Sequence, residues 1–140
     1  FRLPATINEF LKGQLDQASD LQLKCELIHA IGLTNTLTST EALINYYEKN
    51  KKEMLKNEQL AFYYVCALCT LSQSKPYKVL QDMYLNYQSG LIRWKVVEAL
   101  ASAGGPRCLD VLKSILSYEK DKSLREAIEY YINLLPITVT

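Results

Sequence analysis

The side chains best suited to covalent or metal chemistry in this chain are one histidine and four cysteines. His29 follows Cys25 by four residues, so a helix would carry both on one side, as a Cys–His nucleophile pair requires. Such a pair also needs an acid to orient the imidazole, and the sequence places none. A partly exposed structural histidine is the preferred reading. Cys66 and Cys69 have the spacing of a redox dithiol. A redox CxxC sits at a helix N-terminus, where the positive end of the dipole stabilises the thiolate. This one lies in a helix interior, among Val65, Ala67 and Leu68. With Cys25 and Cys108 it reads as buried, reduced thiol, the usage expected of a cytoplasmic protein. One CxxC and one histidine supply too few ligands for zinc. No metal or other cofactor is expected.

The remaining candidates are weaker. Glu26, Glu98, Asp110, Glu126 and Glu129 fall on solvated helix faces, with no close pair that would raise a pKa. Gly104-Gly105-Pro106 is a turn between helices, lacking the glycines and Lys-Ser of a phosphate loop. The 16 basic and 15 acidic side chains leave a net charge of +1, which argues against nucleic acid as a general partner. Lys49, Lys51, Lys52 and Lys56 cluster, but Glu48 and Glu53 interrupt them, as at a solvated helix end. Ten tyrosines are an excess. Tyr47, Tyr64 and Tyr84 fit core positions, each pair (Tyr46-Tyr47, Tyr63-Tyr64, Tyr130-Tyr131) is expected to bury one member, and Tyr63, Tyr87, Tyr118 and Trp94 are candidates for a recognition surface.

Apolar residues recur every three to four positions almost throughout, which predicts an all-α chain of roughly eight helices. The helices are expected near 5–17, 20–32, 41–50 or beyond, 58–72, 76–88, 90–103, from 106, and 122–135. They repeat. Leu23, Leu60, Ile92 and Leu124 open matching apolar frames at spacings of 37, 32 and 32 residues. The capping residues Asp20, Asn57, Ser89 and Asp121 share those spacings. The following helices repeat as well, Leu43, Leu80 and Leu112 being in register. The unit is a helix A, a turn and a helix B. A lone pair cannot bury its apolar stripe, so the pairs are expected to stack.

The stretch Leu91-Ile92-Arg93-Trp94-Lys95-Val96-Val97-Glu98-Ala99-Leu100-Ala101-Ser102-Ala103-Gly104-Gly105-Pro106 resembles the short HEAT-like repeat family, whose pattern is x-V-R-x-x-A-A-x-A-L-G-x-x-G-D-P. Ala101 and Gly105 depart from that pattern, and Ala61 replaces the Arg in the middle copy. The resemblance covers roughly residues 20–135. It implies a right-handed α-α superhelix of about four helical pairs in a single domain: a half repeat at 1–18, repeats at 19–56, 57–88 and 89–120, and a terminal helix at 121–136. HEAT-like repeats also occur in bilin lyases and in an alkylpurine DNA glycosylase family. A pigment pocket and a basic concave face, respectively, are missing here. The family's iron hydroxylases carry His-Glu pairs, but Ala30 follows His29.

The B helices are expected to present Asn45, Glu48, Lys78, Asp82, Asp110, Lys113 and Ser114 on the concave face. Their signs alternate, which suits a protein or peptide partner better than a phosphate backbone. The leading expectation is a non-enzymatic scaffold. The alternative is an accessory or regulatory repeat domain of a larger enzyme. The chain does not begin with Met and reads as an excerpt, with no signal peptide in this segment. No stretch has the length and composition of a membrane span. Ile7, Phe10, Leu11 and Leu15 are expected to leave the N-terminal end apolar or self-associating.

Overall fold

The computed structural model describes residues 3–72 and 76–134. They form α1 (Leu3–Gln17), α2 (Leu21–Thr34), α3 (Leu37–Lys56), α4 (Glu58–Thr70), α5 (Tyr77–Asn86), α6 (Gly90–Ala103), α7 (Gly105–Leu116) and α8 (Lys122–Leu134), with no strand among the described residues. The expected stop of the last helix at Leu135-Pro136 lies outside those residues.

The capping period is present in the structure. Asp20, Asn57, Ser89 and Asp121 each accept the N–H three residues on, from Leu23 (2.9 Å), Leu60 (3.3 Å), Ile92 (3.5 Å) and Leu124 (3.0 Å). Each bond satisfies a donor that the first helical turn leaves unpaired. Two other helix limits are corrected. α3 starts at a Thr36–Ser39 capping box, so Thr38-Ser39-Thr40 is helix rather than cap. As the open-ended reading of its C-terminus allows, it continues past Asn50, where φ −120° and ψ 20° mark a kink, to Lys56. α2 does not stop at Gly32. It runs on to Thr34 and ends at Asn35, which takes the left-handed conformation (φ 48°) and donates its N–H to the Gly32 carbonyl.

The chain divides into two compact units, Phe1–Pro76 and Tyr77–Thr140. In the first, α2 packs on α4 and α1 on α3, while α3 also packs against α2 and α4. In the second, α6 packs on α8 and α5 on α7. Within each unit, A helices therefore meet A helices and B helices meet B helices. Hydrogen bonds in the first unit join positions one repeat apart. Asn35 and Ser72 exchange two (2.7 and 2.8 Å), and Gln59 reaches Gln22 (3.5 Å), each pair separated by 37 residues.

Apolar burial holds these contacts. Leu60, Tyr64, Val65, Leu68, Leu80, Ile92, Val96 and Leu100 are all 0% exposed, each contributing on the order of 1.5–3 kcal/mol. Tyr46 and Tyr47 are both buried, contrary to one-in, one-out pairing, because α3 has neighbours on three helices. Buried Asn8 is satisfied by Thr34, Thr36 and Ser39 at 2.8–3.1 Å, which ties α1 to the α2–α3 turn. At the far edge of the sequence, Tyr130 is exposed and Tyr131 half-buried, so neither member of that pair is core.

Candidate binding surface

The residues first considered for chemistry differ in burial along the helices that carry them. Cys25 is fully buried, and burial, then the neighbouring Glu26 charge, pushes its thiol pKa up. His29 is exposed on the same helix. A buried thiol held protonated is a poor nucleophile. Cys108 is buried and donates to the Leu100 carbonyl. Cys66 and Cys69 are half-buried rather than enclosed, a correction to the core assignment, because their side of α4 is less covered than the Ala61–Leu68 side. The five carboxylates read as solvated are exposed. Among the described residues, no three His, Cys, Asp or Glu side chains come together as a metal site. No described helix is long and apolar enough to cross a membrane.

The surface residues expected on the B helices fall in two places. In the second unit, Lys78 and Asp82 stand one turn apart on α5, and Asp110, Lys113 and Ser114 lie on α7. The packed helices are linked where Gln81 donates to the Ser114 hydroxyl (3.2 Å). Lys78, Asp110 and Lys113 are exposed; Asp82 and Ser114 are half-buried. In the first unit, Asn45 and Glu48 are exposed on α3. Asn45 borders a shallow groove that also meets Lys12 and Asp16 of α1. Beside it, a cleft of about 270 Å³ is lined by Asp16, Lys24, Tyr46, Lys49 and Asn50. Lys24 is engaged by Glu53 at 2.6 Å. Tyr46 is 6% exposed and its hydroxyl has no hydrogen-bond partner among the described residues. Burial, then the charges of Glu53, Cys25 and Asp16, pushes its pKa up to about 12, so it stays a donor.

Sequence reasoning missed a buried, multiply hydrogen-bonded carboxylate in the second unit, Glu119, which is 4% exposed. Tyr84 of α5 donates its hydroxyl to Glu119 Oε1. Arg93 of α6 binds both carboxylate oxygens (3.1 and 3.4 Å) and lies over the Tyr84 ring, 5.9 Å from its centroid. The backbone N–H groups of Lys120 and Asp121 donate to Oε2 (3.0 and 2.8 Å). Arg125 of α8 donates to the Leu116 and Glu119 carbonyls (2.9 and 2.7 Å). Burial, and then the Glu119 hydrogen bond, raises the Tyr84 pKa. Arg93 and Arg125, which share one repeat position, thus serve as internal clamps rather than a surface ladder, while Lys24 at the same position pairs with exposed Glu53. The only advance signal for Glu119 was the recurrence of a cation that needed an acceptor.

Of the aromatic candidates, Tyr87 is buried and Tyr63 half-buried. Tyr118 (40%) and Trp94 (37%) are exposed. Compared with protein-family models, curated proteins and solved structures, the chain matches none.

Proposed function

We propose that the helical pairs of each unit are HEAT-like repeats of a right-handed stack and that the B-helix face binds a protein or peptide partner without catalysis. The supporting observation is the repetition itself. Four A-helix caps recur at 37, 32 and 32 residues, and each unit stacks A on A and B on B. A stack of this kind spends its core residues on neighbouring repeats and leaves one row per B helix free. Here that row is polar and mixed in sign: Asn45 and Glu48, Lys78 and Asp82, then Asp110, Lys113 and Ser114. Mixed charge favours a partner of matching pattern and disfavours a phosphate backbone. A cytoplasmic setting and the absence of a cofactor belong to the same reading. Service as an accessory domain of a larger enzyme is the alternative, and it uses the same face.

Affinity capture tests this. The chain with Lys78→Glu and Asp110→Lys keeps its net charge and changes only exposed side chains, so its helix content and melting temperature are expected to match the wild type. A specific protein partner is expected to be lost or weakened at least tenfold. An unchanged partner list would remove this face from consideration.

A further inference from the structure

The cleft beside Tyr46 lies entirely within the first unit, where α1, α2 and the kink of α3 meet. Its volume of about 270 Å³ matches roughly nine waters at ~30 Å³ each, room for a ligand of about ten non-hydrogen atoms. Leu15, buried although expected at an open apolar end, forms its small apolar side with Ala18; the rest of the wall is polar. Buried hydroxyls normally have a partner, and the Tyr46 hydroxyl has none among the described residues. Burial, then the charges of Glu53, Cys25 and Asp16, keeps it protonated, so it offers a hydrogen bond rather than a charge. Asp16 of α1 and Lys49 of α3 bring opposite charges to the same cleft, and neither has an ion-pair partner among the described residues. Half-buried Lys24 gives one donor to Glu53 (2.6 Å) and keeps two. α1 ends at Gln17 with no basic residue in its last turn, so its terminal carbonyls add negative potential beside Asp16.

We propose that this cleft binds a small zwitterion of the α-amino-acid class, with its ammonium against Asp16 and the C-terminal end of α1 and its carboxylate received by Lys49, Lys24 and the Tyr46 hydroxyl. Glu53 already balances Lys24, which leaves the cleft one anionic and one cationic wall. A simple anion would face Asp16 as a like charge, and a simple cation would face Lys49 in the same way. A ligand carrying both charges at its two ends meets each wall with the opposite sign. The few polar groups converging on a concave site fix its orientation. The space left beyond the ammonium and carboxylate admits only a short side chain, and the polar wall favours a polar one. The cleft shares no residue with the B-helix row, and the proposal does not rest on that row.

The test titrates L-serine, L-asparagine and L-glutamine into the protein, each beside its N-acetyl and α-amide forms, and follows the amide chemical shifts. At least one free amino acid is expected to give saturable shifts centred on residues 15–18, 24 and 46–50. Its two blocked forms should bind about tenfold more weakly. Asp16→Asn should weaken the free amino acid about fivefold and leave the N-acetyl form unaffected, since only the former carries an ammonium. Lys49→Gln should weaken both about fivefold. Tyr46→Phe should weaken binding about tenfold, yet leave the melting temperature of the ligand-free protein unchanged or higher, because the hydroxyl has no partner to lose. Absence of saturable shifts with all three amino acids overturns the proposal. An N-acetyl form that binds as tightly as its parent also overturns it, because the cleft is then a plain anion site. Indifference of binding to either Asp16→Asn or Tyr46→Phe does the same.

Discussion

Glu119→Ala is expected to destabilise the second unit by about 3–5 kcal/mol, the range for removing one partner of a buried, hydrogen-bonded ion pair. The substitution strands several groups at once. Arg93 loses its carboxylate while its Nε already has no acceptor, Tyr84 loses the acceptor of its hydroxyl, and two backbone N–H groups in the 117–121 turn go unpaired. These groups come from α5, α6 and the connection into α8, so the loss spreads through the unit. Glu119→Gln keeps an acceptor and the side-chain volume but not the charge, and should cost about half as much. Adding Arg93→Met to Glu119→Ala should recover part of the loss, because the stranded charge disappears with it. Urea unfolding followed by circular dichroism reads all three. A loss below about 1 kcal/mol for Glu119→Ala would contradict the central role given to this carboxylate.

Gly32→Leu should destabilise the first unit by about 3 kcal/mol, at the upper end of overpacking costs. A Cβ at residue 32 would lie 2.8 Å from Thr70 Oγ1, 3.0 Å from Ala67 Cβ and 3.1 Å from Ala67 Cα. The Thr70 hydroxyl is itself held by the Ala67 carbonyl (2.7 Å), and the Ala67 backbone cannot step aside without parting α2 from α4. Gly32→Ala meets the same contacts but gains about 1 kcal/mol of helix propensity, so its net change should be small. Ala67→Gly in the Gly32→Leu background removes the nearest carbon and should restore part of the stability beyond additivity. Thermal melts of the four proteins decide this. Gly32→Leu melting within a degree of wild type would show that the two helices are not in close contact.

Helix placement was legible where one local rule decided it. Caps and apolar frames recur together, so α2, α4, α6 and α8 could be placed within a residue or two. Reading failed where tertiary contact overrode the local signal. Gly32 looks like a helix stop, yet it is a contact surface inside the helix, chosen by the approach of Ala67. The polar run from Glu48 to Lys56 reads as a solvated helix end without a fixed stop, and helix resumes after the Asn50 kink, where the Asn50 amide donates to the Tyr46 carbonyl (3.0 Å). Glu119 was invisible because its role depends on α5 and α6, far away in sequence. The B-helix residues were chosen from the repeat frame alone. On α5 and α7 that frame picks out exposed Lys78, Asp110 and Lys113 together with half-buried Asp82 and Ser114, and it says nothing of clefts such as the one beside Tyr46, which depends on how α1, α2 and the kinked part of α3 meet.

The proposed function depends on neighbouring B helices presenting one row. Spin labels on noncanonical residues at positions 78 (α5) and 110 (α7), both in the second unit, measure this while leaving the cysteines untouched. Packed B helices predict one narrow distance distribution centred near one helix spacing, about 10 Å between backbones. A broad distribution extending well beyond that separation would contradict it, because α5 and α7 would then present separate faces rather than one.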